Sequence, residues 1–193
     1  MEETNRTLEA LLSGDDALAE IAARQLAAHG RAAISVLKEL IHRPLAEVRW
    51  WAVRALAEIP DDEVVPLLIQ ALKDEDLAVR QCAALGLQLH PDERAVPTLM
   101  EALEDNDPLL VRLAGNALAA IGTSVTPALL EKLDQSPPRA KLEMVRALAL
   151  IGDQRSIPTL FEALESDSML IEYWANEGLE RMGVGMVFFD PNS

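Results

Sequence analysis

Three histidines, one cysteine, 32 Asp and Glu residues and three tryptophans are the side chains of this 193-residue chain that could do chemistry. Their spacing decides which chemistry is open to them. The histidines stand as His29-Gly30, His42-Arg43 and His90-Pro91, with no partner residue at metal-ligand spacing. His29 and His90 precede helix breakers at matching places and read as helix-terminal residues beside the negative end of a helix dipole. Cys82 has no base beside it in sequence, so it reads as a small semi-buried side chain rather than a nucleophile. The carboxylates are assigned to solvated helix faces and caps, and abundance alone makes no acid–base dyad. No Gly-rich phosphate loop and no Ser/His/Asp arrangement is present. The sequence thus offers no catalytic residue, no metal site and no cofactor site.

The aromatic residues differ. Only 4% of the chain is Phe, Trp or Tyr, yet Trp50 and Trp51 are adjacent, as are Tyr173 and Trp174. Large aromatics and arginines dominate the energetics of protein interfaces. What these can do depends on the elements that carry them.

Those elements repeat. The segment Val65-Pro66-Leu67-Leu68-Ile69-Gln70-Ala71-Leu72 returns at Val96 to Leu103, at Ile157 to Leu164 and, more loosely, at Val125 to Leu133. Pro66, Pro97, Pro127 and Pro158 are 31, 30 and 31 positions apart, and Ser35 stands 31 before Pro66. A second segment interleaves with the first, from Val48-Arg49 to Ala55-Leu56. Its later copies end at Gly86-Leu87, Ala117-Leu118, Ala147-Leu148 and Gly178-Leu179. Val48, Ala52, Ala55, Leu56 and Ile59 form one apolar stripe at helical spacing. Asp, Ser and Pro supply helix starts at Asp74 and Asp76, Asp105 with Pro108, Ser136 with Pro137, and Asp167 with Ser168. Proline near the start of each first helix costs least there, and small residues in each second helix let neighbouring hairpins approach closely. Six units follow, at 4–30, 31–61, 62–92, 93–122, 123–153 and 154–183, in a single domain over 1–183. The first is polar at its start, as a cap would be. The fourth has an extra residue near Pro108, which displaces Arg112 from the line of Arg49 and Arg80.

The run Asp76-Leu77-Ala78-Val79-Arg80 with Ala83-Ala84 and Leu87, and Ile151-Gly152-Asp153 followed by Ile157-Pro158, resembles the short HEAT-like repeat of the phycobilisome lyases. The resemblance covers nearly the whole chain to Gly183. It implies an all-α fold, a right-handed α-α superhelix of the HEAT-like or armadillo type, with about six helical hairpins. It also implies two classes of function. One is a non-catalytic scaffold or adaptor with a protein or peptide on its concave face. The alternative is a bilin lyase or chaperone-like subunit acting on phycobiliproteins, with aromatic rings against the tetrapyrrole and arginines on its propionates. Deoxyhypusine hydroxylase resembles this architecture but needs His-Glu pairs for two irons, and no such pair is present here.

In such a stack the second helices line the concave face. Aligning their copies places a recognition set off the buried stripe: Trp50, Trp51, Arg54 and Glu58, then Gln81, Cys82, Leu85 and Gln88. Arg112, Leu113 and Asn116 follow, then Leu142, Glu143, Arg146 and Leu150, and last Tyr173, Trp174, Glu177 and Arg181. Trp51 shares a repeat position with Trp174, and Arg54 shares one with Arg146. Neighbours on a helix point about 100° apart, so Trp50 and Trp51 cannot both lie on one narrow stripe.

A formal charge of −15 and the lack of any Lys/Arg run argue against nucleic acid and anionic membranes as partners. Basic-grooved helical-repeat DNA glycosylases are excluded by the same sign. One cysteine permits no internal disulfide, and the acidic Met-Glu-Glu-Thr-Asn start opens no signal peptide, so a cytoplasmic location is expected. The apolar stretch at 184–193 breaks the repeat. It is expected to fold back over the last hairpin, or to dock on a partner or on a second copy in a homodimer.

Overall fold

The computed structural model describes residues 2–184. The expected role of the 184–193 tail therefore lies outside the described residues, apart from Val184. Twelve α-helices run through the described part: α1 (Glu2–Leu11), α2 (Asp16–Ala28), α3 (Arg31–Leu40), α4 (Ala46–Leu56), α5 (Val64–Ala71) and α6 (Leu77–Leu89). They continue as α7 (Val96–Ala102), α8 (Pro108–Ile121), α9 (Thr126–Leu133), α10 (Pro138–Ile151), α11 (Ile157–Ala163) and α12 (Met169–Arg181). There is no strand among the described residues, and no single helix there is long and apolar enough to cross a membrane.

The helix starts follow the local chemistry. Asp76 caps α6 by accepting the N–H groups of Ala78 and Val79 at 2.9 and 3.2 Å, and Asp15 caps α2 in the same way. Asp107 caps α8, with Pro108 at its first position. The aspartate two residues ahead has a separate duty. Asp74 accepts the N–H of Asp76, and Asp105 that of Asp107, each at 2.8 Å, so one carboxylate holds the turn and the next opens the helix. The repeated prolines all lie in the first turn of α5, α7, α9 and α11, where a missing N–H breaks no helical hydrogen bond.

The chain divides into two compact units at Ala102/Leu103, inside the repeat read as 93–122. In the first unit α1 pairs with α2, α3 with α4 and α5 with α6. The second helices lie side by side, with α4 between α2 and α6. Leu26, Leu37, Leu56, Ile59, Leu68 and Leu87 are fully buried in its core. In the second unit α10 lies between α8 and α12, backed by α9 and α11, around Leu110, Leu118, Leu129, Leu148 and Leu160. Gly86 and Gly178 sit at the small-residue position that precedes the recurring leucine of the second helices. A Cβ on Gly178 would lie 2.8 Å from the Cβ and 2.9 Å from the Cα of Ala149. That near-contact of α12 with α10 is open only to glycine.

Candidate functional site

The expected recognition set divides between the two units. In the first, Trp50 is half-buried on α4 and stands edge-to-face with Trp51, ring centroids 4.7 Å apart. Arg54 is half-buried and paired with Glu58 one turn on, and it lies 3.8 Å from Glu20 of α2. Glu58 and Leu85 are exposed, and Gln81 and Gln88 are half-buried. Cys82 is buried, and burial pushes its thiol up to about 12, against a smaller opposing effect of Arg54. It stays protonated at neutral pH and is no nucleophile.

In the second unit the centre is Arg146 on α10. Its Nε donates to Glu143 Oε2 at 2.6 Å, and its Nη2 donates to Asn116 Oδ1 and, at 3.4 Å, to the carbonyl of Arg112, both on α8. Its guanidinium lies 5.7 Å from the centroid of the Trp174 ring on α12. Trp174 is half-buried and edge-to-face with the exposed Tyr173 at 5.3 Å. Glu177 is half-buried and accepts from the exposed Arg181 at 3.0 Å. Arg112 is exposed, while Val111 takes the buried place that Arg49 has in α4.

Four members of the expected surface are therefore not on it. Trp51 is 6% exposed and Arg146 7%, and Cys82 and Glu143 are buried with them. The cause is lateral packing. α4 and α10 are the middle helices of their units, so positions off their own hairpin stripe are covered by the second helices on either side. Trp51 and Arg146 hold neighbouring second helices together. Leu85, Arg112, Tyr173 and Arg181 reach solvent, and Trp50, Arg54 and Trp174 do so in part.

Sequence reasoning also missed apolar side chains that are exposed. Leu18 and Ile21 on α2 are open, Ile21 at 54%, and Leu89 on α6 is open at 60%. The signal was available. Ile21 stands 30 residues before Trp51, and Leu89 follows Leu85 by the same four-residue step that links Arg54 to Glu58. Ile21 is carried by α2, and Leu85 and Leu89 by α6, the second helices on either side of α4.

A further concavity lies at the N-terminal ends of α2, α4 and α6. Asp16, Glu47 and Asp76 surround it, Trp50 and Trp51 line it, and Ala46 and Ala78 complete its walls, enclosing about 440 Å³. From the sequence Asp76 reads as a helix start, and Asp16 and Glu47 fall among the carboxylates of solvated faces and caps, so none of the three points to a site. No grouping of three His, Cys, Asp or Glu among the described residues is close enough to hold a metal ion. The one histidine contact of note is His90 Nε2, which donates to the Ala57 carbonyl at 3.0 Å and ties the end of α6 to that of α4.

The HEAT repeats family pattern matches residues 4–81, 65–140 and 126–185, and the chain belongs to that family. No curated protein matches its sequence. Among solved structures it is similar to the complex of CpcE and CpcF of phycocyanin lyase from Nostoc sp. PCC7120, with a TM-score of 0.58 and 23% identity over 93% of this chain and 77% of that one. It is similar to an engineered protein with a TM-score of 0.56 and 25% identity, over 96% of this chain and all of that one. A designed armadillo repeat protein in complex with the peptide (KR)4 superposes with a TM-score of 0.55 and 19% identity, over 93% and 99% of the two chains. With these neighbours the fold class is the expected all-α, α-α superhelix, a repeat scaffold suited to protein binding.

Proposed function

We propose that this HEAT-repeat chain is a non-catalytic scaffold that holds a segment of a protein partner against its second helices. The observation that carries the reading is the exposure of Ile21, Leu85 and Leu89 on one side of the first unit, beside the half-open Trp50. Scattered single apolar residues on a surface need no explanation, but three on one helix layer next to the chain's aromatic pair mark an interaction surface. Arg54 adds a positioned cation, and Glu58 and Glu20 keep it extended along α4.

The test is a triple variant, Ile21→Ser, Leu85→Ser and Leu89→Ser. Exposed substitutions of this kind change stability by about 0.5 kcal/mol or less each. Proteins captured on the wild-type chain from extracts of its source cells, then purified and measured singly, should bind the variant at least tenfold more weakly, with an unchanged melting curve. Equal affinities for variant and wild type would overturn the scaffold reading for this face. Trp51→Ala serves as the contrast, since it opens a cavity in a core and should lower stability by about 3 kcal/mol.

A second reading takes the likeness to the CpcE–CpcF complex further and makes the chain a bilin lyase or chaperone-like subunit. It is supported by the second unit, where the exposed ring of Tyr173 and the exposed guanidinium of Arg112 could meet a conjugated plane and a propionate. Phycocyanobilin added to the purified chain should then shift its absorbance and quench tryptophan emission, and both effects should fall in Tyr173→Ala. An unshifted spectrum with unquenched emission removes this reading.

A further inference from the structure

We propose that the cleft at the N-terminal ends of α2, α4 and α6 seats a basic side chain, arginine or lysine, of a peptide segment bound to the first unit. This rests on the scaffold reading and names the chemistry of the partner. The cleft is open, about 440 Å³, and no basic residue lines it. That is space for one or two side chains of a longer ligand.

Charge decides the sign of the occupant. Three helix N-termini bring about half a positive charge each, roughly 1.5 in total. Against them stand the carboxylates of Asp15, Asp16, Glu47 and Asp76, on a chain of net charge −15. Asp15 and Asp76 are engaged in capping, each through one carboxylate oxygen, which leaves the other oxygen of each. Asp16 and Glu47 make no ion pair or side-chain hydrogen bond among the described residues. The field in the cleft is negative, so an anion is repelled and a cation is drawn in. The cation is not a metal ion, because no three ligand groups there come close enough together to hold one. Carboxylates spread around an aromatic floor suit a larger cation with several donors.

The aromatics supply the second argument. Trp50 and Trp51 line the cleft with their rings at 83° to each other. A guanidinium stacks on an indole face while its N–H groups reach carboxylates in its plane, which an ammonium does less well. Trp51 is 94% buried and Trp50 half-buried, so Trp50 is the ring more open to an occupant of the cleft.

The probe is a fluorescein-labelled octapeptide of alternating lysine and arginine, titrated against the full chain in 0.15 M NaCl. Saturable binding with quenching of tryptophan emission is expected. The pair Asp16→Asn with Glu47→Gln should weaken it at least tenfold, as should Trp50→Ala. The pair Glu131→Gln with Asp134→Asn removes the same charge from exposed positions of the second unit and should change the affinity less than twofold. No saturable binding, or equal losses in the two charge-neutralised pairs, would overturn the proposal, the latter by showing only general attraction to an acidic chain. If Trp50→Ala fails to fold, the Asp16/Glu47 pair decides, since both residues are solvent-facing in first turns. Should the octapeptide not bind while the Ile21/Leu85/Leu89 variant still loses its captured partner, the scaffold stands and the basic-side-chain seat falls.

Discussion

Arg49 does more for the first unit than any residue of the expected recognition set. Its Nε and Nη2 donate to the two oxygens of Asp74 at 2.7 Å each, and its Nη1 donates to the carbonyls of Arg43 and Pro44 at 3.0 and 2.9 Å. One guanidinium thereby closes the turn of its own hairpin and grips the turn of the next, and Arg80 repeats the first half of the pattern on the carbonyls of Asp74 and Glu75. The geometry is the bidentate fork that lysine cannot supply. Burial alone would raise the Asp74 carboxyl, but hydrogen bonds from Arg49 and from the Asp76 N–H, with the arginine charges, outweigh it and hold Asp74 below the ordinary value. A depressed carboxyl stabilises the fold above its unfolded value, about 3.9, and that contribution is lost as pH falls through the folded value. Asp74→Asn should therefore cost on the order of 3 kcal/mol at pH 7, because a buried guanidinium loses its counter-charge. Urea unfolding should show the gap between variant and wild type closing only below about pH 4. A gap that is small at pH 7, or that does not depend on pH, would mean the pair is replaceable by solvent. Cys82 gives a second test at this scale. With its thiol held neutral to about 12, it should resist iodoacetamide at pH 8 in the folded chain and react at once in urea.

At the scale of the helix, the second helices of each unit are held at a spacing set by their smallest residues. Alanine is ordinarily preferred to glycine inside a helix by up to about 1 kcal/mol. At Gly178 that preference is overruled, because the added methyl meets the Cα and Cβ of Ala149 below 3 Å and the backbone of α10 or α12 must move. Overpacking of this kind costs about 1–3 kcal/mol, so Gly178→Ala should lower the urea midpoint. Gly86→Ala is the milder case. Its methyl meets the tips of Leu68 at 3.0 and 3.2 Å and the Ala57 methyl at 3.1 Å, and a leucine tip can turn away. The order of the two losses is the measurement, and a Gly86 variant weaker than the Gly178 variant would reverse this account of helix spacing. The same lateral packing explains what was and was not legible in the sequence. Helix positions, caps and the in-register prolines follow from rules that act within one hairpin, and they were readable from Pro66 to Pro158. The burial of Trp51 and Arg146 depends on the helices to either side. A stripe read along one helix sees its own hairpin and says nothing of the neighbours that cover its flanks. The basic-side-chain cleft was invisible for a related reason, since Asp16, Glu47 and Asp76 come from three separate repeats and meet only when the second helices are stacked.

For the molecule as a whole, charge is the property that composition states most plainly, and its consequences reach beyond any single ion pair. A chain carrying −15 repels itself when compact, and its scattered pairs such as Lys73–Glu101 and Lys132–Glu104 are exposed ones worth little individually. Salt acts on these two effects in opposite directions. It weakens the pairs, and it shortens the reach of the repulsion from about 30 Å at 0.01 M to about 8 Å at 0.15 M. With 32 acidic residues against 17 basic ones, repulsion is the larger of the two. The melting temperature should therefore rise between 0.01 and 0.15 M NaCl, by about 3 °C for each kcal/mol of repulsion relieved in a chain of this size. The binding of a basic peptide should weaken over the same range. A scaffold of this charge thus trades stability against attraction as ionic strength changes, and the two curves, measured on one preparation, must run in opposite directions. If the melting temperature falls with salt instead, the surface pairs dominate, and the acidic excess is not the source of strain assigned to it here.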